Sequence, residues 1–424
     1  QMQGEDGYIS MAYNYETRKP TWAGRINPPL YAWCEWLYAE RTGDLTRLPK
    51  AYEACSKYYR WLKANRTREK NGLYYFEDTG SSGMDNSPRS GYFAEHQKGS
   101  DVCFVDLCCQ QVLAARCLAK MAPYVGKPEE AKTWNHEADH LAEKINDLMW
   151  CEKTGFYHDL YINTNNKLAV KTAAAFWALV SGVATPDRAA KLAAHLTNEN
   201  TFGSKYPVPS LSKDDPNYDP YGGYWLGGVW PPIVYMTCRG LRENGYGDLS
   251  REIARKHLDQ MCDVLYNYRT KPKSKTFSFA SATDEEIGTI WECYAPEFAE
   301  PARDKLGKQV RKNFVGWGGL GPIILFVEDI IGLDINALEN RIDWRISETG
   351  NQGMKDIPFN GGKVSLSAFV PDKRFFSVTV ETDRPLRLRV FSADGTHRVV
   401  KYIKPGVTKF HSREPSAEHD APME

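Results

Sequence analysis

The sequence predicts a mainly α protein, one large helical unit followed by a small β unit, and three observations predict it. Apolar residues recur at three- and four-residue steps through most of the first ~345 positions, the spacing of one buried helix face. The segments so marked are separated by long loops rich in Gly, Pro, Ser and aromatics. Beyond Ser347 the period changes to two, as in half-buried strands. At 424 residues the chain is too long for one small core and fits this division.

Taken in order, helices are expected over 29–41, 47–64, 101–121, 127–149, 169–182, 187–197, 229–243, 249–266 and 318–332. Within 101–121, Val105, Cys109, Val112, Ala115 and Ala119 form one apolar stripe. Within 249–266, Ala254, Leu258, Met261 and Leu265 form another. The loops 71–100 and 201–228 exceed the usual connection length, and long loops on a helical scaffold are where function concentrates. "ETGNQGMKDIPFNGG", 348–362, reads as a connector without periodicity. After it, Val364, Leu366, Ala368 and Val370 alternate with residues facing the other way, as do Leu386, Leu388 and Val390. "ADGT", 393–396, is a hairpin turn signal. The expected division is 1–346 for the helical unit, 347–412 for a β-sandwich-like domain and 413–424 for a disordered tail.

Lysine plus arginine equals aspartate plus glutamate, 54 each, so no net charge draws the chain to nucleic acid or anionic lipid. No apolar run approaches the ~20 residues that span a bilayer, which predicts a soluble protein. The N-terminal stretch has neither the basic nor the apolar region of a leader, and a leader removed earlier leaves the compartment open. The ten cysteines show no C-x-x-C pairing and fall among apolar residues; they read as buried thiols, with disulfides left open. No phosphate loop, H-E-x-x-H or G-x-S-x-G occurs, and no metal or organic cofactor is implied. His96 and His158 are lone loop histidines, read as hydrogen-bonding residues. Twelve tryptophans and 24 tyrosines supply flat apolar faces with polar tips, which suit sugars and equally suit large helical cores.

Four loops carry chemistry-bearing residues. "SSGMDNSPR", 81–89, sets Asp85, Asn86 and Arg89 among turn formers. "GTIWECYAPE", 288–297, places Glu292 between Trp291 and Tyr294, where an acid is partly desolvated. "YGGYWLGGVWPP", 221–232, presents Tyr224, Trp225 and Trp230 among glycines that either admit a ligand close to the backbone or serve a tight turn before Pro231 and Pro232 open a helix. "FVGWGGLGP", 314–322, offers Trp317 in the same setting. Glycosidic hydrolysis normally needs two carboxyl groups, one to protonate the leaving oxygen and one to activate water or attack carbon. Asp85 and Glu292 are the two candidates.

"SGMDNSPR" closely resembles the signature of glycoside hydrolase family 63 and its relatives, which include trehalases and mannosylglycerate hydrolases. The resemblance continues in "DGYIS" (6–10), "NPPLYAW" (27–33), "WLKANRTREKNGLYY" (61–75), "VDLCCQ" (105–110), "YPVPSLS" (206–212), "GGYWLGGVWPP" (222–232) and "TIWECY" (289–294), over roughly residues 5–332. It implies an (α/α)6 barrel. It further implies inversion of the anomeric centre, with Asp85 as general acid and Glu292 as general base. Asn86 and Arg89 would orient Asp85 or hold sugar hydroxyls, with Tyr224, Trp225, Trp230 and Trp317 lining the sugar subsite.

Two departures accompany the resemblance. The family's arginine in "YWRGP" is Leu226 here, and its proline is Gly228. Relatives also have barrel helices and an aromatic–Asp motif before the point matching "DGYI", and about ten helices are read where twelve are expected. An N-terminal segment or a second chain completing the barrel is therefore an expected partner.

The expected activity is that of an inverting exo-acting glycosidase on α-glucosides or α-mannosides, with an oligosaccharide or small glycoside as substrate. The alternative is a carbohydrate-binding protein that keeps the fold without the chemistry. An epimerase or isomerase would rely on paired histidines, which the aromatic loops lack. Family relatives that act on scavenged glycans favour a periplasmic or secreted location.

Overall fold

A computed structural model of the chain describes residues 2–22, 24–78, 80–90, 101–269, 288–304 and 306–413. His96 and most of the expected tail lie outside the described residues. The helical unit contains α1 (Tyr31–Thr42), α2 (Leu48–Asn65), α3 (Val105–Met121), α4 (Glu130–Leu148), α5 (Trp177–Val180), α6 (Pro186–Thr197), α7 (Pro231–Glu243), α8 (Gly247–Asn267) and α9 (Val315–Gly318). After α9 a wider helix runs over Gly321–Ile331, and the Gly332 N–H at its end reaches back five residues to the Val327 carbonyl.

Helix α3 is buried on nearly every side, which is why its apolar stripe is flanked by Leu107, Cys108, Leu113 and Leu118 rather than by charges. It packs against α1, α2, α4 and α5. Around it α2 buries Leu48, Tyr52, Cys55, Tyr59 and Leu62, and α4 buries Trp134, Ala138, Leu141 and Ile145, each at three- and four-residue steps. Helix α7 packs against α5, α8 and the wide helix.

Three expected helices begin late or shrink for one reason: backbone pairing across the chain claims their first residues. Val102–Cys103 (β1) pairs with Leu160–Tyr161 (β4), so α3 starts at Val105. Val229 pairs with Tyr294, so α7 starts at Pro231. Lys171 and Ala173 bond Ser212 and Ser210, leaving only a tight turn and α5 of the helix expected over 169–182. A further two-stranded pair joins Trp150–Cys151 (β2) to Phe156–Tyr157 (β3).

The β unit consists of two four-stranded sheets. One has the order β11 (Arg398–Ile403), β10 (Leu386–Phe391), β6 (Arg341–Arg345), β5 (Leu333–Asn336), with β10 and β6 parallel. The other has the order β12 (Gly406–His411), β9 (Ser377–Thr382), β8 (Gly362–Val370), β7 (Gly350–Phe359). Both sheets contribute to one apolar cluster that includes Trp344, Leu366, Val380, Leu388 and Phe410. The β unit thus begins at Leu333, not at residue 347, because β5 and β6 are integral to the first sheet. The segment read as a connector is β7, and it pairs with β8 through a bulge between Met354 and Ile357. The alternation in β8 and β10 and the hairpin at "ADGT" are as expected. The unit docks on the end of α1, where Ala337 N–H bonds Glu40 O at 2.7 Å and Asn360 N–H bonds Thr42 O at 3.0 Å.

All ten cysteines are free thiols and seven of them are buried. His158 is buried, its ring nitrogens 2.8 Å from Thr154 Oγ1 and 3.2 Å from the Val170 carbonyl, the hydrogen-bonding role expected of it. Among the described residues no helix is long and apolar enough to cross a membrane.

Candidate active site

Three loops converge at one cavity of about 780 Å³. The 80–90 segment follows α2, the 221–230 loop precedes α7, and residues 288–312 follow α8. The last two are zipped together by the Val229–Tyr294 pair. Residues 291–312 then fold back on themselves through the Trp291–Lys312, Tyr294–Pro301 and Arg303–Gln309 bridges. The cavity lining includes Asn86, Tyr224, Trp291, Glu292, Lys308, Arg311 and Lys312.

Glu292 is buried apart from its face on this cavity. Its Oε1 accepts the Tyr224 hydroxyl at 3.2 Å, and its Oε2 lies 3.4 Å from the Arg311 N–H. The Trp317 indole N–H donates to its carbonyl oxygen at 3.2 Å. Both carboxylate oxygens are therefore oriented by donors, an arrangement that fixes a proton acceptor in place.

Asp85 keeps access to solvent, and it is Asn86 beside it that lines the cavity. Loss of hydration raises the Asp85 pKa above the ordinary aspartate value; the Glu292 charge adds to the rise, Asp78 adds further, and Arg311 opposes it. Asp85 is thus held toward the protonated form within electrostatic reach of Glu292.

Tyr224 bonds one acid and lies within electrostatic reach of both. Burial pushes its phenol well above the ordinary tyrosine value, and the charges of Glu292 and Asp85 push in the same direction. Its φ of 66° is left-handed, an uncommon backbone state for a bulky residue. The glycines around it are required by the loop itself. Gly227 has a φ of 148°, and a Cβ on Gly228 would meet the Tyr224 carbonyl oxygen at 2.3 Å. They allow the loop to fold on itself, the turn-forming reading of the two.

The expected aromatic walls are only partly the observed ones. Trp225 and Trp230 stack face to face, centroids 3.9 Å apart, and both are buried; Trp230 meets the Tyr224 ring edge-on at 5.0 Å. They pack against Tyr224 and, being buried, are absent from the cavity lining. Trp317 is partly exposed and tilted against Trp230 at 5.9 Å, and it reaches Glu292 through its indole N–H rather than lining the cavity. Among the described residues, Tyr224 and Trp291 are the aromatic residues of the lining. Trp291 was visible in the sequence only as a neighbour of Glu292.

Arg89 does not reach the cavity. It is fully buried, and all five of its N–H groups are engaged. Nε donates to Asp159 at 2.8 Å and Nη1 to Asp106 at 2.8 Å. Nη2 donates to Asp106 at 2.7 Å and to Asp159 at 3.0 Å, and the remaining Nη1 hydrogen points at the Met84 sulfur at 3.3 Å. Arg89 therefore anchors the Asp85 loop to the start of α3 and is not part of the cavity lining among the described residues. Asn86 is likewise engaged with protein: Oδ1 accepts the Trp225 N–H and Nδ2 donates to the Gly223 carbonyl, both at 2.8 Å. It also lines the cavity, so these two bonds tie a cavity residue to the neighbouring loop.

Among the described residues no group of three or more His, Cys, Asp or Glu side chains is placed to hold a metal ion.

The model of the mannosylglycerate hydrolase MGH1-like glycoside hydrolase domain matches residues 2–305. An uncharacterized protein of Borreliella burgdorferi is 28% identical over 362 residues, covering 85% of this chain and 70% of that one. A mannosylglycerate hydrolase of Rubrobacter radiotolerans is 31% identical over 173 residues, 40% of this chain and 38% of that one. The match to a cytosolic neutral trehalase of Kluyveromyces lactis covers 20% of that protein, so such relatives are matched over less than half of their own length. The solved GH63 mannosylglycerate hydrolase of Thermus thermophilus, in complex with glucose, shares the fold. Its TM-score is 0.56 at 22% identity, over 77% of this chain and 84% of that one. With a family match that runs through both carboxylate-bearing loops, the chain belongs to the mannosylglycerate hydrolase MGH1-like glycoside hydrolase domain family.

Proposed function

We propose that the chain is an inverting, exo-acting glycoside hydrolase for α-mannosides or α-glucosides, with Asp85 as general acid and Glu292 as general base. The observation that carries this reading is the different environment of two acids on converging loops, close enough that the charge of Glu292 acts on Asp85. Asp85 is held toward its protonated form, while both oxygens of Glu292 are oriented by donors. Asp85 gives its proton to the leaving oxygen as the C1–O bond breaks. Glu292 takes a proton from the water that attacks C1 on the opposite face, so the released sugar has the inverted configuration. The helices would be arranged as the (α/α)6 barrel of family 63.

Lys308, Arg311 and Lys312 face the same cavity, and Lys308 and Arg311 are exposed. Three such cations suit a leaving group that carries a carboxylate, as a glycerate does, and relatives in the family are named for mannosylglycerate. Proton NMR of a fresh reaction on a panel of α-mannosides and α-glucosides, with and without a carboxylate, tests the reading. The β-anomer is expected first. An α-anomer first would mean retention and overturn the mechanism; sugar binding without turnover would favour a carbohydrate-binding protein.

A further inference from the structure

We infer that Asn86 is a positioning residue which joins the acid loop and the base into one unit, by stapling the backbone on both sides of Tyr224. The inference rests on the reading of Asp85 and Glu292 given above. The Asn86 amide accepts from the N–H of Trp225 and donates to the carbonyl of Gly223. One planar group thus fixes the peptides that precede and follow Tyr224.

From the other side, the Tyr224 N–H donates to Arg303 O at 3.0 Å. Its carbonyl accepts the Gly228 N–H at 3.2 Å and the Trp230 indole at 3.3 Å. The left-handed backbone of Tyr224 persists because its surroundings over-determine it. The product of that constraint is the direction of one phenol, whose hydroxyl holds Glu292 Oε1. The chain of contact therefore runs Asp85, Asn86, Gly223 to Trp225, Tyr224 hydroxyl, Glu292. Asn86 is adjacent to the acid, yet its hydrogen bonds act on the base.

This makes an uncommon demand on mutants: truncating a residue beside the acid should produce the defect of a misplaced base. A sugar-binding role for Asn86 would instead raise KM at constant kcat. A purely structural role would lower thermal stability and leave the pH profile in place.

The test is a double-mutant cycle of Asn86→Ala and Tyr224→Phe in the full chain, with kcat, KM and the pH–rate profile measured on the best glycoside of the panel. Each single change is expected to lower kcat about 10- to 100-fold, the scale of a small misplacement. The acid limb should move to higher pH in both, and the double mutant should fall within about threefold of the worse single. Additive losses, or an Asn86→Ala variant with raised KM and an unmoved limb, overturn the inference. Asn86→Asp serves if the alanine variant does not fold, since it keeps the Trp225 bond and loses the Gly223 bond.

Hydrogen exchange reads the staple without turnover. Amides of 222–228 should exchange roughly tenfold faster in Asn86→Ala, about the loss of one bond's protection, and unchanged exchange overturns the inference. Asp85→Asn separates the two layers. Full activity in that variant sinks the acid–base reading. Loss of activity there, together with additivity in the cycle, sinks only the role of Asn86.

Discussion

The Tyr224 hydroxyl donates to Glu292 Oε1 at 3.2 Å, so the residue at the crown of one glycine-rich loop sets the direction of a carboxylate on another. Because the phenol is held well above its ordinary pKa, it remains a donor throughout the range in which a glycosidase would work. Tyr224→Phe keeps the ring packed on Trp230 and removes only the donor. The expected result is a kcat lowered by about 10- to 100-fold with KM changed much less, the mark of an interaction used in the transition state. A raised KM at constant kcat would place Tyr224 in ground-state binding instead.

The buried group of Arg89 with Asp106 and Asp159 predicts a large effect on stability. Arg89→Met leaves two carboxylates without their cation, and breaking such a pair costs about 3–5 kcal/mol. Asp159 also accepts the Val105 N–H at 2.8 Å, so the start of α3 is disturbed with it. Urea unfolding at pH 7 measures the loss, and a change below about 1 kcal/mol, typical of exposed pairs, would contradict the anchoring role. Lysine should not restore stability, because it lacks the planar fork.

His257 gives a prediction with a definite sign. It is fully buried on α8, neither ring nitrogen has a hydrogen-bond partner among the described residues, and burial lowers its pKa to about 3. The imidazole is neutral in the fold but takes up a proton in the unfolded chain below ~6.5. Its contribution is therefore complete above ~6.5 and is lost as pH falls toward the folded value, by about 1.4 kcal/mol per pH unit. His257→Met should flatten the stability curve between pH 6.5 and 4.5 relative to the parent; parallel curves would refute the assignment.

The three cavity cations predict selectivity. Arg311→Ala should raise KM for a carboxylate-bearing glycoside by about tenfold or more, the worth of one charge-assisted contact, and leave a neutral glycoside within about twofold. Rising salt should reproduce part of that change in the parent protein. Equal losses on both substrates would remove the anionic leaving group from the account.

Much of this was legible because local pattern and global role coincide. The α3 stripe of Val105, Cys109, Val112 and Ala115 marks a helix whether or not its partners are known, and the buried positions of β8 and β10 announce themselves by alternation. The four loops were found because Asp85, Glu292 and the aromatics stand among residues that stop helices. Other features depend on partners that a sequence does not display. Arg89 reads as a site residue until Asp106 and Asp159, 17 and 70 positions away, enclose it. Strand β7 was hidden because only Ile357 and Phe359 of it are buried, which leaves no period to read. Lys308, Arg311 and Lys312 read as ordinary solvated charges, and only the fold of the chain sets them around the cavity that Glu292 lines.

Turnover by Asp85→Asn tests the central claim most directly, measured on two glycosides of the same sugar, one with a poor leaving group and one with a good one. The account predicts that hydrolysis of the first is lost by at least ~100-fold, the reach of a general acid. The second, which needs little protonation, should be largely spared, and sugar binding should be retained. The same variant should be more stable than the parent at neutral pH. The raised pKa of Asp85 means that ionisation costs the fold stability as pH climbs from the unfolded aspartate value through the folded one, and asparagine does not ionise. Equal turnover of both glycosides by the variant and its parent would contradict Asp85 as the acid.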